Sequence, residues 1–304
     1  MKVLVTGASG FIGSALVSAL TKKGNDVTCL IRKEESKQKF QGMKVGFVLA
    51  DITDRDKLFE ALEGLDVDAF FHLAAINPLE KDRKLQQRVN VDGMRNVIDA
   101  CLKGKVGLFV YVQGTGLFGD TKGKLIDEST ERNTDTDFAK TRSKAEEMLW
   151  HANKENGLPA TVMILGDVYG PAGWFADLIV SKVRDGSFKI PGSGEYYRSF
   201  VHVDDVASAL ALVAERNAKN NTYIVCDNEP VKFEEFIYYV ADKLAMKRPS
   251  KVPVFLAKMA VGSDMIKLLT YSTRARNTKI KNELGFVLQY PTYREGIEAT
   301  LRDL

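Results

Sequence analysis

Two apolar periods alternate along this chain. Lys2-Val3-Leu4-Val5 is a short run rich in β-branched residues, which predicts a buried strand. From Phe11 the spacing turns helical, with Ile12, Leu16 and Leu20 on one face and a stop at Gly24-Asn25. Asp26 to Ile31 is a second strand, Val45 to Ala50 a third, and Asp68 to Leu73 a fourth. Between the last two, Thr53 or Asp54 can cap a helix carrying Leu58, Leu62 and Leu65. A long helical pattern runs through Val89, Val91, Val97, Ile98 and Leu102. Leu108 to Val112 is a fifth strand, Phe138 to Lys154 a helix, and Ala160 to Leu165 a sixth strand. Strands alternating with helices predict an α/β fold, a Rossmann-type doubly wound parallel sheet with right-handed crossovers.

The pattern changes at Gly166. Gly, Pro and aromatics become frequent, and the helical stretches 232–245 and 253–269 are less regularly interleaved with strands. Residues 1–165 are expected to form a dinucleotide-binding domain, with 200–226 returning to it through a helix from Asp204 to Arg216 and a strand from Thr222 to Val225. Residues 166–199 and 227–304 are expected to form a smaller C-terminal substrate lobe.

Glycines at Gly7, Gly10 and Gly13 stand between the first strand and the first helix. A dinucleotide pyrophosphate needs this arrangement. Gly7 makes the tight turn, Gly10 lets backbone approach phosphate, and Gly13 lets helix pack on strand. The helix N-terminus adds free N–H groups and partial positive charge.

Composition narrows the function. The 304 residues carry 43 basic and 40 acidic side chains, a net charge of +3, which argues for neither nucleic acid nor an anionic membrane. The first strand starts at Lys2, which leaves no signal peptide, and no apolar run reaches bilayer length, so a cytoplasmic protein without membrane partners is expected. Cys29, Cys101 and Cys226 are odd in number and far apart, and read as small apolar fillers. His72 and His202 sit in apolar strands and His151 on a helix surface, so no metal site is expected. Asp204 and Asp205 open a helix, where capping is the default role.

Motifs along the whole length resemble the extended short-chain dehydrogenase/reductase family of nucleotide-sugar epimerases and dehydratases. They include Thr6-Gly7-Ala8-Ser9-Gly10-Phe11-Ile12-Gly13, Asp51-Ile52, His72-Leu73-Ala74-Ala75, and Asn90-Val91-Asp92-Gly93 with Asn96-Val97. Gly166-Asp167-Val168-Tyr169-Gly170-Pro171 and Arg198-Ser199-Phe200-Val201-His202-Val203-Asp204-Asp205-Val206 extend the match. The resemblance implies an NAD(P) cofactor held by Gly7, Ser9, Gly10, Phe11, Ile12, Gly13, Arg32, Asp51, Ile52, Leu73, Ala74, Ala75, Asn90 and Arg142. It implies a small-molecule substrate, such as a nucleotide sugar, near Arg198, Tyr196 and Tyr197. It also implies a homodimer through the 138–154 and 89–102 helices. At the end of the second strand the family reads the adenine ribose. No Asp or Glu stands at Leu30, Ile31 or Arg32, and Arg32 suits a 2′-phosphate, so NADP is expected over NAD.

The family's catalytic Ser/Thr, Tyr and Lys are absent. The turn Leu117-Phe118-Gly119 puts Gly114 at the Ser/Thr position, and Ala145-Glu146 puts Phe138 at the Tyr and Arg142 at the Lys. A register built on Ser143-Lys144 would instead put Lys140 at the Tyr position. Phe138 has no proton to exchange, Gly114 has no hydroxyl, and Arg142 stays charged. Losing a positioned acid/base costs about 10²–10⁴-fold. Thr115 and Tyr169 are the substitutes considered first, with Tyr196 and Tyr197 in loops expected to face the cleft. Two readings follow: an oxidoreductase, epimerase or dehydratase with a non-standard catalytic set, or a catalytically inactive NADP-binding sensor or partner subunit.

Overall fold

The computed structural model describes all 304 residues, Met1–Leu304. Seven strands form the main sheet: β1 (Lys2–Thr6), β2 (Asp26–Ile31), β3 (Gly46–Leu49), β4 (Ala69–His72), β5 (Phe109–Gly114), β6 (Ala160–Leu165) and β7 (Asn221–Val225). Their spatial order is β7-β6-β5-β4-β1-β2-β3. β1 pairs in parallel with both β2 and β4, so the order reverses across it. That reversal is the switch point of a doubly wound sheet, where ligands bind at the carboxyl ends of strands. The expected fold class is the one observed.

The α-helices of seven residues or more are α1 (Phe11–Lys22), α2 (Arg55–Ala61), α3 (Gly93–Lys103), α4 (Asp137–Asn156), α5 (Val203–Glu215), α6 (Phe233–Lys243), α7 (Val254–Val261), α8 (Ser263–Thr270), α9 (Thr278–Leu284) and α10 (Tyr293–Arg302). Of the α1 stripe that the spacing predicts, Leu16 and Leu20 are buried and Ile12 is half-buried, and Val17 is buried with them. Asp54 caps α2 by accepting from the Lys57 N–H. The long pattern before α3 is not one uniform helix. A π-helical turn at Arg88–Asp92 interrupts it and contains the buried Asn90. Such turns recur at functional sites. The stretch 253–269 is two helices, because Gly262 at φ 89° breaks it.

The chain divides into two compact units. The first holds 1–113, 137–163 and 207–223, and the second holds 114–136, 164–206 and 224–304. The second thus takes in 114–136 and 200–206, which the sequence pattern places with the dinucleotide domain.

The core of the second unit is aromatic. Phe200 and Phe236 stack at 3.8 Å between ring centres, and Tyr169 lies edge-on to Phe175, Phe200 and Phe236. The Tyr169 ring lies against Gly296 in α10, where a Cβ would stand 1.8 Å from its hydroxyl. Only glycine fits. Gly296→Ala is expected to cost about 1–3 kcal/mol by overpacking. Tyr169→Phe in the same chain should recover part of that loss, because it removes the nearest atom. Urea unfolding of the two variants checks this; an unchanged midpoint for Gly296→Ala would mean that the helix moves away freely.

Candidate functional site

In the first unit, three backbone segments converge where β1 ends. Gly7 has φ 67°, and a Cβ on it would stand 2.7 Å from the Ala74 nitrogen. A Cβ on Gly13 would stand 2.2 Å from the Gly7 carbonyl oxygen. Glycine at both places lets the β1 turn, the end of β4 and the start of α1 touch through bare backbone. Thr6 ties the first two together. Its hydroxyl lies 2.9 Å from His72 Nδ1 and accepts from the Ala74 N–H at 3.2 Å.

A cleft of about 420 Å³ opens at this junction. Gly7, Ser9 and Gly10 form one wall, and Leu73, Ala74, Ala75, Ile76 and Asn77 face them. Asp51, Ile52 and Val89 line it further along. Asn96 donates to the Ile52 carbonyl at 2.9 Å and fixes that wall. Asn90, in the π turn, accepts from the Ile76 N–H and donates to Thr141. It positions the wall and is not itself part of the lining. At the far end stand Leu30, Ile31, Arg32, Lys33 and Ser36. The Arg32 side chain is exposed and makes no hydrogen bond or ion pair. Lys39 reaches back from the 34–40 segment to donate to the Ser9 carbonyl at 2.7 Å. These residues suit a dinucleotide: bare backbone for phosphate, apolar walls, and a free cation where the adenosine ribose would end.

Sequence reasoning named nine of the lining residues: Gly7, Ser9, Gly10, Arg32, Asp51, Ile52, Leu73, Ala74 and Ala75. It did not assign the lining residues Lys33, Ser36, Ile76, Asn77 and Val89, nor Lys39, which bonds to the Ser9 carbonyl beside them. The basic run after β2 is the signal that could have found Lys33 and Lys39. Phe11, Ile12 and Gly13 shape the turn without lining the cleft.

Arg142, expected at the cofactor, is turned inward. It is buried, lies 4.7 Å above the Tyr111 ring, and donates to the Val112 carbonyl. Gln113 donates to the Arg142 carbonyl and to Glu146. Phe138 is half-buried at the start of α4. A Cβ on Gly114 would meet nothing within 4 Å, so that position has room for a larger residue. Thr115 is buried in a short turn.

The second unit corrects two expectations about tyrosines. Tyr169 does not face a cleft: it is 1% exposed and belongs to the aromatic core. Burial pushes its phenol far above the usual range, and the nearby Asp227 adds to the shift. It cannot serve as an accessible proton donor. Tyr196 is likewise buried, stacked on Phe233 with its hydroxyl toward the Pro191 carbonyl. Tyr197 remains half-buried. Arg198 is fully engaged. Its Nε and Nη2 donate to Asp167, and its Nη1 donates to the Leu268 carbonyl at 2.6 Å. Asp205 does not cap its own helix. Its buried carboxylate accepts from the Gln289 and Tyr290 N–H groups and tethers that segment, and burial raises its pKa to about 6. His202 is buried against Thr300, as its apolar strand predicts. No group of His, Cys, Asp and Glu could hold a metal, and all three cysteines are free and buried.

The model of the NAD dependent epimerase/dehydratase family matches residues 3–226. A 4-hydroxy-2-methyl-3-oxo-4-farnesyl-3,4-dihydroquinoline-1-oxide ketoreductase from Stigmatella aurantiaca is 27% identical, over 98% of this chain and 95% of its own. A UDP-N-acetyl-alpha-D-glucosaminuronate decarboxylase from Bacillus cytotoxicus is 30% identical over 74% of each chain. The crystal structure of the Thermus thermophilus UDP-glucose 4-epimerase in complex with NAD superposes with a TM-score of 0.85 at 24% identity, covering 100% of this chain and 98% of that one.

His72 gives this site a pH dependence. Burial, with the Arg142 charge as a second cause, holds its pKa down to about 3. An unfolded histidine takes up a proton below about pH 6.5, whereas the folded one does not. Stability is therefore lost as pH falls, by about 2 kcal/mol at pH 5 from this residue alone. His72→Gln should flatten that loss. Urea unfolding at pH 8 and pH 5 reads it, and equal pH slopes for variant and parent would contradict it.

Proposed function

Since the chain belongs to the NAD-dependent epimerase/dehydratase family, we propose that it is an NADP-dependent oxidoreductase acting on a small carbonyl compound. It works without the family's Tyr-Lys proton relay. One observation carries the cofactor choice: Arg32 stands unpaired at the end of the cleft beside Lys33, with Leu30 and Ile31 where a ribose-binding carboxylate would stand. A guanidinium there makes charge-assisted bonds to a 2′-phosphate and has nothing comparable to hold in NAD.

When bound, the nicotinamide supplies or accepts hydride. The chain's residues then have to deliver a proton to the carbonyl oxygen when hydride is supplied, or take one from the alcohol when hydride is accepted. Phe138 and Gly114 cannot, Arg142 is buried and folded against Tyr111, and Tyr169 is sealed in a core. Solvent water, or Thr115 or Tyr197, is left for that role. The pinned Arg198 bears on substrate class: Asp167 neutralises it and occupies its fork, so it is not free to clamp a diphosphate. This favours an uncharged carbonyl over a nucleotide sugar, in keeping with a full-length relative that is a ketoreductase.

A second reading, a catalytically silent NADP-binding sensor, is favoured by the same losses at Phe138 and Tyr169. Turnover distinguishes the two. Purified protein is titrated with NADPH and NADH, then assayed on panels of carbonyl compounds and nucleotide sugars. The proposal requires NADPH consumption with at least one carbonyl; binding without turnover across both panels favours the sensor.

Arg32→Ala should weaken NADPH binding by about tenfold, the loss of one charge-assisted pair. NADH affinity should stay within about twofold. Equal losses for both cofactors would make Arg32 a structural residue. Restoring the relay with Gly114→Ser, Phe138→Tyr and Arg142→Lys should raise turnover on the best carbonyl by about 10²-fold or more. No gain in a folded triple variant would contradict the register that places those three residues.

A further inference from the structure

α7 is an apolar helix whose large side chains are exposed. Its sequence is Val254-Phe255-Leu256-Ala257-Lys258-Met259-Ala260-Val261, and none of its side chains is buried. Phe255 is 64% exposed and Met259 is 81% exposed. These two lie four residues apart, one turn above the other, with Leu256 beside them. Scattered exposed apolar residues are ordinary, but a helix whose largest apolar side chains all face solvent marks an interaction surface.

The stretch of sequence that holds it is basic. Residues 246–282 contain nine Lys and Arg and a single acid, Asp264, in a chain whose overall net charge is only +3. Carboxylates from neighbouring elements answer some of these cations: Asp242 pairs with Arg248, Glu234 with Lys251 and Asp135 with Lys267. Lys247 and Lys258 have no acidic partner. Lys258 lies in α7 itself, between Phe255 and Met259 along the chain. A lysine there can lay its stem along an apolar contact and keep its ammonium in the polar layer.

We propose that α7 attaches the protein to an anionic lipid surface. Phe255, Leu256 and Met259 enter the boundary between headgroups and acyl chains, and Lys258 meets the headgroup charge. The helix is far too short to span, and no helix of the chain is long and apolar enough to cross a membrane. The attachment is interfacial. Net charge over the whole sequence hides it, because the acids that balance these cations lie elsewhere in the chain. The inference is independent of the cofactor reading, since α7 shares no residue with the dinucleotide cleft.

The test is flotation of the full-length protein with vesicles of phosphatidylcholine alone or with phosphatidylglycerol added, at low and high salt. The parent should float with the phosphatidylglycerol vesicles at low salt and be released by high salt. Phe255→Ser with Met259→Ser should lower partitioning by about tenfold or more. Lys258→Glu should lower it by about fivefold. Both changes are on exposed side chains, so the thermal midpoint should not move. No flotation with anionic vesicles, equal flotation with neutral ones, or undiminished flotation of the double serine variant would each overturn the proposal. Sedimentation without vesicles covers the other occupant. If the parent self-associates and the double serine variant does not, the face belongs to a second copy of the chain and the lipid proposal falls.

Discussion

The first unit depends on the contact of bare backbone with bare backbone at the end of β1. Positions 7 and 13 have no space for a methyl group: one added at Gly13 would overlap the Gly7 carbonyl, and one at Gly7 would overlap the peptide between Leu73 and Ala74. Because these segments touch, α1 begins directly after the turn at the switch point of the sheet. Because β4 ends there too, Thr6 can hold both the His72 ring and the Ala74 amide. The cleft is what remains between the three segments. The shape of the cleft in this unit is thus fixed by close packing of the main chain, and the side chains of Arg32, Lys33 and Ser36 are added around its rim.

The second unit uses its polar residues to hold itself together. Tyr169 fills a core and Tyr196 stacks on Phe233. Asp167 and Arg198 satisfy each other, and Asp205 ties down the backbone at Gln289 and Tyr290. Each could be taken for a catalytic or binding group by type alone. Each already has partners within the unit, which leaves it less to offer a substrate. What this unit leaves unsatisfied is apolar: the outward face of α7.

The strands, α1 and the glycine turn were legible because each is set by local rules. Alternation fixes a strand, a repeat of about 3.6 residues fixes a helix face, and three glycines at that spacing between strand and helix fix a phosphate turn. Three of the cleft-lining residues, Gly7, Ser9 and Gly10, came from that turn, and the others named from the sequence came from the family resemblance. What could not be read depends on distant packing. Nothing near Tyr169 in sequence says that Gly296 will make room for its ring. Nothing near Asp205 says that two amides from 84 and 85 residues away will claim its carboxylate. The break at Gly262 was present as a glycine inside an apolar run, but the run's continuity outweighed it. Lys39 was one lysine among many until the chain folded it over Ser9.

We infer that the glycine turn holds a dinucleotide phosphate against bare backbone, in a protein that lacks the usual proton relay. Calorimetric titration of NADPH into the parent and into Gly10→Val decides this. A Cβ on Gly10 would already stand 3.1 Å from the Gly7 carbonyl, and the valine methyls would project beyond it. One saturable site is expected in the parent, and no measurable binding to a Gly10→Val protein whose unfolding transition is intact. Equal affinity in the two would contradict it.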